Sequence, residues 1–254
     1  MTRNIKLTIE YDGTHFQGWQ TQKNGRTVQD AIQAALKKIF GKAIKVIGAG
    51  RTDSGVHALG QVANFNVKTN LSLKAMRNAL NANLPEDVTV LNVEEVRPDF
   101  HAQYDAKSKV YRYTVLHRDT RCAQLRHFVL LYPRKLNVPL MRQELKFFVG
   151  KKDFKAFQGT DKGSENGRLK SSLRTIKRID IKKKGDFLYI DVEADGFLYK
   201  MVRNIVGTLL EVGSGKLPRG SIQKILRSKN RKYAGATVRA RGLTLVKVDY
   251  EATN

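Results

Sequence analysis

The chain has 254 residues, 41% of them hydrophobic, and a formal net charge of +24 from 47 Lys and Arg against 23 Asp and Glu. That length gives one large domain or two small ones with a real core, and no run approaches the roughly 20 consecutive apolar residues of a membrane span. A single cysteine, Cys122, excludes an intrachain disulfide and any cysteine-based zinc site within one chain.

The positive charge points to polyanions, because it raises their local concentration and favours phosphate contacts. The basic residues spread over folded-looking sequence and form neither a tail nor a single amphipathic helix. Nucleic acid is therefore the favoured partner, ahead of a basic membrane-surface binder or a merely soluble basic protein. The first residues alternate like a strand and lack the apolar core and small-residue cleavage site of a signal peptide. The expected compartment is the cytoplasm.

In chain order, Ile5, Leu7, Ile9 and Tyr11 alternate with Lys6, Thr8 and Glu10, which predicts a half-buried strand. Asp12-Gly13 ends it, and Thr14 to Gln20 reads as a loop whose aromatics, Phe16 and Trp19, look exposed. Thr27 with Asp30 resembles a capping box. Val28, Ile32, Leu36, Ile39 and Phe40 follow at helical spacing, and Gly41 stops the helix. A strand is predicted over 43–47 and another over 61–67. Ser72 caps a helix through Leu73, Met76 and Leu80 that ends before Pro85, and Val88, Val90 and Val93 predict a strand. This order, strand-helix-strand-strand-helix-strand, is that of a ferredoxin-like split βαβ unit, shared with the RNA-recognition motif.

After Arg97-Pro98 the pattern restarts. A strand is predicted over 109–115, a helix over 138–149 and a hairpin from 174–182 and 187–192 through Lys183 to Asp186. Helices over 198–212 and 218–227 and a strand over 243–248 complete it. The expected class is α+β: two ferredoxin-like (RRM-like) halves, 1–105 and 106–254, sharing a mainly antiparallel sheet, with helices on one face and a cleft between the halves. Segment 159–172, polar and glycine-containing, reads as a mobile loop.

Several familiar sites fail. Gly50 to Gly55 has the glycine spacing of a P-loop, but Val56-His57 stands where Lys-Ser/Thr is needed. Gly213-Ser-Gly215-Lys216 runs into Leu217-Pro218. The five histidines show no HExxH or H-x3-H spacing, so no metal site is expected, and no Gly-x-Ser-x-Gly elbow exists.

What stands out is Gly48-Ala-Gly50-Arg51-Thr52-Asp53-Ser54-Gly55-Val56-His57. It presents a carboxylate two residues after a guanidinium, between two strand-like runs and on glycines that let a ligand approach the main chain. Taken alone, each candidate has a plainer reading. Asp53 is a turn former, Arg51 a surface ion pair, and Tyr111 a ring in the core. Arg203 is then a solvated helix position, and Phe16 and Trp19 either stack on bases or cover a helix end.

The run Gly48 to Ala58 followed by Gln61-Val-Ala-Asn-Phe65 resembles the signature of the TruA family of tRNA pseudouridine synthases. Three further segments resemble that family, in the expected order and across nearly the whole chain: Tyr11 to Gln20, Lys109-Val-Tyr111-Arg-Tyr113, and Phe197 to Gly207. The resemblance implies that Asp53 is the catalytic aspartate and that Tyr111 stacks on the target uracil. It implies that Arg203 is the basic partner of the aspartate, and it places Arg51 among the substrate-binding residues, with Phe197 or Leu198 as pocket wall. It further implies a homodimer that converts uridine to pseudouridine at positions 38, 39 and 40 of the tRNA anticodon stem-loop, without cofactor or metal. The alternative is a non-catalytic tandem RNA-binding module or RNA chaperone, which shares charge and fold but gives Asp53 no task. An RNA or nucleoside glycosidase, which would release free uracil, is a third reading.

Overall fold

The computed structural model describes residues 2–160 and 171–251. The loop expected over 159–172 therefore lies mostly outside the described residues. In chain order the elements are β1 (Thr2–Tyr11), α1 (Val28–Phe40), β2 (Ile47–Gly48), β3 (His57–Lys68), α2 (Leu73–Asn83), β4 (Val88–Val96) and β5 (Ser108–Leu116). They continue with β6 (Leu130–Leu131), α3 (Val138–Glu144), β7 (Gly150–Asp153), β8 (Leu173–Lys184), β9 (Phe187–Ala194), α4 (Met201–Gly213), α5 (Ser221–Ser228) and β10 (Leu243–Asp249). The class is mixed α+β, with five α-helices and ten strands among the described residues. Among these residues no helix is long and apolar enough to cross a membrane.

The chain forms two compact units, one holding everything up to Lys109 together with the stretch from Thr244 onward, the other running from Val110 to Leu243. The last strand thus belongs with the N-terminal half. Its backbone pairs in parallel with β3, Thr244 opposite His57 and Leu245 opposite Ala58. An expectation that cuts the chain once, at 105/106, misses this return, because no sequence signal tells which half a closing strand will join.

In the first unit the strands run β4-β1-β3-β10, with β2 also paired to β3. β1 is antiparallel to both its neighbours, and Ile5, Leu7 and Ile9 face Phe65, Ala63 and Gln61 across the β3 ladder. The period-2 pattern of β1 puts those three aliphatic side chains in the core at full burial. The same core takes Val28, Ile32, Ala35 and Leu36 of α1 and Met76 and Leu80 of α2.

Both helices start as the sequence predicts. The Thr27 hydroxyl accepts from the Asp30 N–H, and the Ser72 hydroxyl accepts from the Ala75 N–H. Gly41 ends α1 at φ +69. β3 is buried on both faces, since Val62 packs with Ala49, Phe100 and Ala102 in a second apolar cluster.

One predicted strand comes out differently here, and one predicted helix in the second unit. The strand expected over 43–47 shrinks to the two residues of β2. Helix α1 claims the backbone instead: the Gln29 side chain donates to the Val46 carbonyl at 2.8 Å, and the Val46 N–H donates to the Gln33 amide oxygen at 3.2 Å. Side-chain amides satisfy the groups that a strand ladder would otherwise pair. The helix expected over 138–149 ends at Glu144 and tightens into a 3-10 turn over Leu145–Phe147, a common way to close a helix.

In the second unit the strands run β5-β9-β8-β7, with β6 paired to β5. β8 and β9 form the predicted hairpin, Lys184 opposite Phe187, and Gly185 supplies φ +57 in the turn. α4 is apolar on most sides, with Val202, Ile205, Val206, Leu209 and Leu210 all buried. It begins at Met201, not Leu198. Lys200 is left-handed at φ 57, and the Met201 N–H closes a turn on the Leu198 carbonyl.

Candidate active site

The loop from Gly48 to His57 leaves β2 and enters β3. Asp53 opens a four-residue turn closed by the Val56 N–H on the Asp53 carbonyl at 3.1 Å. Gly55, third in that turn, has φ +75, a value that a Cβ resists. Asp53 is half-buried, Arg51 is exposed and Thr52 between them is buried. Alternation of side chains thus anchors the middle residue and turns its neighbours outward.

A second loop holds this one from beneath. The Trp19 N–H donates to the Thr52 carbonyl at 3.1 Å, and the Gly55 N–H donates to the Phe16 carbonyl at 3.2 Å. The approach is so close that only glycine fits at two points. A Cβ on Gly13 would sit 2.0 Å from the Val56 carbonyl oxygen, and one on Gly18, already at φ +93, would sit 2.5 Å from the Thr52 carbonyl oxygen. Phe16 and Trp19 are not exposed. Trp19 is 1% accessible, its ring edge fills the space over Gly48, and its carbonyl receives the Gln29 N–H at the start of α1. Of the two roles open to these aromatics, covering a helix end is the observed one. Base stacking by either is excluded.

Buried polar side chains complete the support. The Tyr11 hydroxyl lies 2.8 Å from the Thr52 hydroxyl. Burial pushes the Tyr11 phenol well above its usual pKa, against the lowering effect of hydrogen bonds to Thr52 and Gln61, so it stays a neutral hydroxyl. The Gln61 amide, fully buried, donates to the Gly50 carbonyl at 2.9 Å. His57 Nδ1 lies 3.0 Å from the Gly13 nitrogen and 3.1 Å from an Asp12 carboxylate oxygen. One ring nitrogen serves only one of these. The Gly13 hydrogen is fixed by the backbone and points at Nδ1, so Nδ1 accepts and the ring proton sits on Nε2. Sequence reasoning missed Tyr11, Thr52, His57 and Gln61 as supports. The available signal was that the Tyr11–Gln20 and Gly48–His57 motifs both carry glycines spaced for a close backbone contact.

The second unit holds the other two candidates. Tyr111, on β5, is 7% accessible, and its ring meets Phe197 edge-on with centroids 5.0 Å apart. Arg203 is half-buried on α4, where its Nε donates to the Val238 carbonyl at 2.8 Å. The Tyr113 hydroxyl donates to the carbonyl of the next residue, Arg239, at 2.7 Å. Burial raises the pKa of that phenol, and the charges of Arg203, Arg241 and Arg239 pull it partly back. The structure thus holds Asp53 and Arg51 on one loop, and places Tyr111 beside Phe197 and Arg203 against the Val238 carbonyl. A single carboxylate on a pinned loop can act as nucleophile or as base. Its fixed backbone keeps the reorganisation cost of either role low.

Comparison with known proteins shows the family. The sequence model of a family described as tRNA pseudouridine synthase matches residues 7–105 and 145–251. The chain is 47% identical over 248 residues to "tRNA pseudouridine synthase A 2" of Clostridium perfringens, covering 98% of this chain and 100% of that one. It is 45% identical over 248 residues to the tRNA pseudouridine synthase A of Acetivibrio thermocellus, and 43% to that of Thermoanaerobacter sp., with the same coverage.

Proposed function

We propose how the site works in a chain that belongs to the tRNA pseudouridine synthase family: Asp53 is its catalytic carboxylate, and Tyr111, Arg51 and Arg203 bind the substrate. The family assignment makes the protein an isomerase that converts uridine to pseudouridine in tRNA. The targets we propose are the uridines at positions 38, 39 and 40 of the anticodon stem-loop, and the working form a cytoplasmic homodimer of two ferredoxin-like halves. The β4-β1-β3 order, with α1 and α2 as crossovers, supports the ferredoxin-like reading of the first half.

The reaction breaks the N1–C1′ glycosidic bond, turns the uracil and joins its C5 to C1′. Nothing is oxidised, and the proton lost from C5 balances the one gained at N1. Bond breaking leaves positive character on the sugar and negative charge on the uracil. One carboxylate answers that need, by attack at C1′ or by removing a sugar proton. Glycosidases use two carboxylates because they also activate water. Here water must stay out, since hydrolysis would lose the detached base.

The target has to be extruded from its stack, at a cost of a few kcal/mol. Stacking on an aromatic ring returns roughly 1–3 kcal/mol per base, and Tyr111, its ring set by Phe197, is the aromatic for that task. Arg51, exposed two residues before Asp53, is placed to take a phosphate or a base edge.

The observation that carries the reading is the half-buried Asp53 on a loop fixed through Thr52, Gly55 and Gly50 to buried partners. A turn former alone needs no such support. The test is to incubate the protein with an unmodified tRNA transcript and map pseudouridine chemically. Product at 38–40 is the expected outcome. Product elsewhere in the tRNA would refute the anticodon assignment. Free uracil would mark a glycosidase, and binding without product would favour the non-catalytic RNA-binding alternative.

A further inference from the structure

We propose that Tyr104 is a preformed stacking platform for a second, non-reacting base of the RNA substrate. The inference rests on the chain acting on tRNA and goes beyond the residues assigned to the reacting uridine.

Tyr104 is 79% accessible, the most exposed large hydrophobic side chain among the described residues. It is not loose. One face of the ring lies on the His101 imidazole, centroids 4.1 Å apart and planes 21° from parallel. The imidazole is itself held, because its Nδ1 accepts from the Gln103 and Tyr104 N–H groups at 3.2 and 3.3 Å. The His101 carbonyl closes the turn by accepting from the Tyr104 and Asp105 N–H groups, both at 3.1 Å. The Asp105 carboxylate accepts from the His101 N–H at 3.0 Å and from Arg97 at 2.7 Å. A stack is thus built with one tyrosine face covered and the other open.

The turn is fastened to the base of the Asp53 loop. Phe100 and Ala102 pack with Ala49 and Val62, and Ala49 is the second residue of that loop. The Ala102 N–H donates to the Asn64 side chain at 2.9 Å, and the Asn64 and Asn4 amides donate to the Phe100 carbonyl. The Tyr250 hydroxyl donates to the Ala102 carbonyl at 2.7 Å.

The chemistry favours a nucleobase. Any base offers a π-face to an open aromatic ring, and a ring already ordered loses little entropy on binding. Arg97 and Lys107, their side chains 48% and 52% exposed, bring cations to the same segment for the adjoining phosphates. Their pairs with Asp99 and Glu251 are exposed and cheap to exchange. A protein interface fits less well. Gln103 and Lys107 are exposed and Ala102 is buried, so no apolar patch surrounds the ring.

The test uses the full chain and unmodified tRNA transcript, with Tyr104→Ala, Tyr104→Phe and Tyr104→Trp. Tyr104→Ala is expected to weaken tRNA binding and raise KM roughly five- to tenfold with kcat retained, while Tyr104→Phe stays within about twofold of the parent. The salt dependence of binding should keep its slope in both, since no phosphate contact is lost. In Tyr104→Trp the added indole should change fluorescence when tRNA binds, beyond any change the parent shows from its single tryptophan, Trp19. Unchanged affinity in Tyr104→Ala overturns the proposal. So does a change in sedimentation size with affinity for tRNA intact, which would make Tyr104 a contact between copies. Misplaced pseudouridine from the parent enzyme would instead fault the anticodon reading, so the two failures are distinguishable.

Discussion

The segment that carries Asp53 and the segment 231–242 behind Arg203 are both irregular chain laid across other structure, yet they are fastened by different means. The Asp53 loop lies on another loop, and main chain grips main chain through the Trp19–Thr52 and Gly55–Phe16 hydrogen bonds. The 231–242 segment lies on helix α4, most of whose backbone groups are already spent on the helix, although the Val238 N–H does reach the Arg203 carbonyl, at 3.4 Å. Side chains therefore do most of the fastening. Asn204 accepts from Arg231 and Thr237, Thr208 accepts from the Gly235 N–H, and Glu211 accepts from the Ala236 N–H. One feature is common to both. A glycine admits a carbonyl where a Cβ would collide, Gly13 with the Val56 oxygen at 2.0 Å and Gly207 with the Ala236 oxygen at 1.8 Å. A loop gripped by main chain tolerates changes to its own exposed side chains, which leaves Arg51 and Asp53 available for chemistry. A segment held by side chains is sensitive at each of them.

Asp53 is the sharpest probe of that difference. Asp53→Asn keeps the shape of a half-exposed side chain and leaves every main-chain contact of the loop in place. Pseudouridine formation in single turnover should fall by roughly 10²–10⁴-fold, with tRNA binding and melting temperature near those of the parent. Retention of more than about a tenth of the parent rate would remove Asp53 from its role.

The two glycines come next. Gly207→Ala places a methyl group against a backbone carbonyl inside a packed helix contact, and the overpacking should cost about 1–3 kcal/mol of stability by denaturant titration. Gly13→Ala has the same collision at the edge of the Asp53 loop. There the loop should yield instead, with a smaller loss of stability and a larger loss of turnover. If both variants lost stability and activity in the same proportion, the contrast between the two fastenings would not hold.

Much of this was legible in the sequence, and the exceptions have physical causes. β1, α1, α2 and the β8–β9 hairpin follow from strict periodicity and from caps whose side chains act locally: Thr27, Ser72, Gly41 and Gly185. The Asp53 loop was found because glycine, arginine and aspartate crowd one stretch. The strand over 43–47 failed because its backbone partners are glutamines thirteen or more residues away on α1. Phe16 and Trp19 looked exposed because nothing in their own loop reports that the Asp53 loop will cover them. The place of β10 beside β3 depends on a pairing nearly two hundred residues apart, which no local pattern carries.

The smallest effect expected is a coupling term at Tyr11 and Thr52, where the main-chain grip leans on a side-chain pair. Tyr11→Phe removes one hydroxyl and leaves the buried Thr52 hydroxyl without it, at a cost of about 1–3 kcal/mol. Thr52→Val leaves the phenol in the matching position. In the double variant both polar atoms are gone, so its loss should fall short of the sum of the two singles, and a double-mutant cycle reads that coupling directly. A pH series separates the phenol from the packing of its ring. The folded state raises the Tyr11 pKa above the value of 10.0 that it has in the open chain. Its contribution to stability is therefore complete below pH 10 and declines as the pH rises from there toward the folded value. Tyr113 and Tyr250 are shifted the same way and share that alkaline loss. Tyr11→Phe should consequently be the less stable protein at neutral pH, yet lose less of its own stability between pH 10 and 12. An unchanged alkaline slope would mean that Tyr11 gains no neutrality from its place under the Asp53 loop.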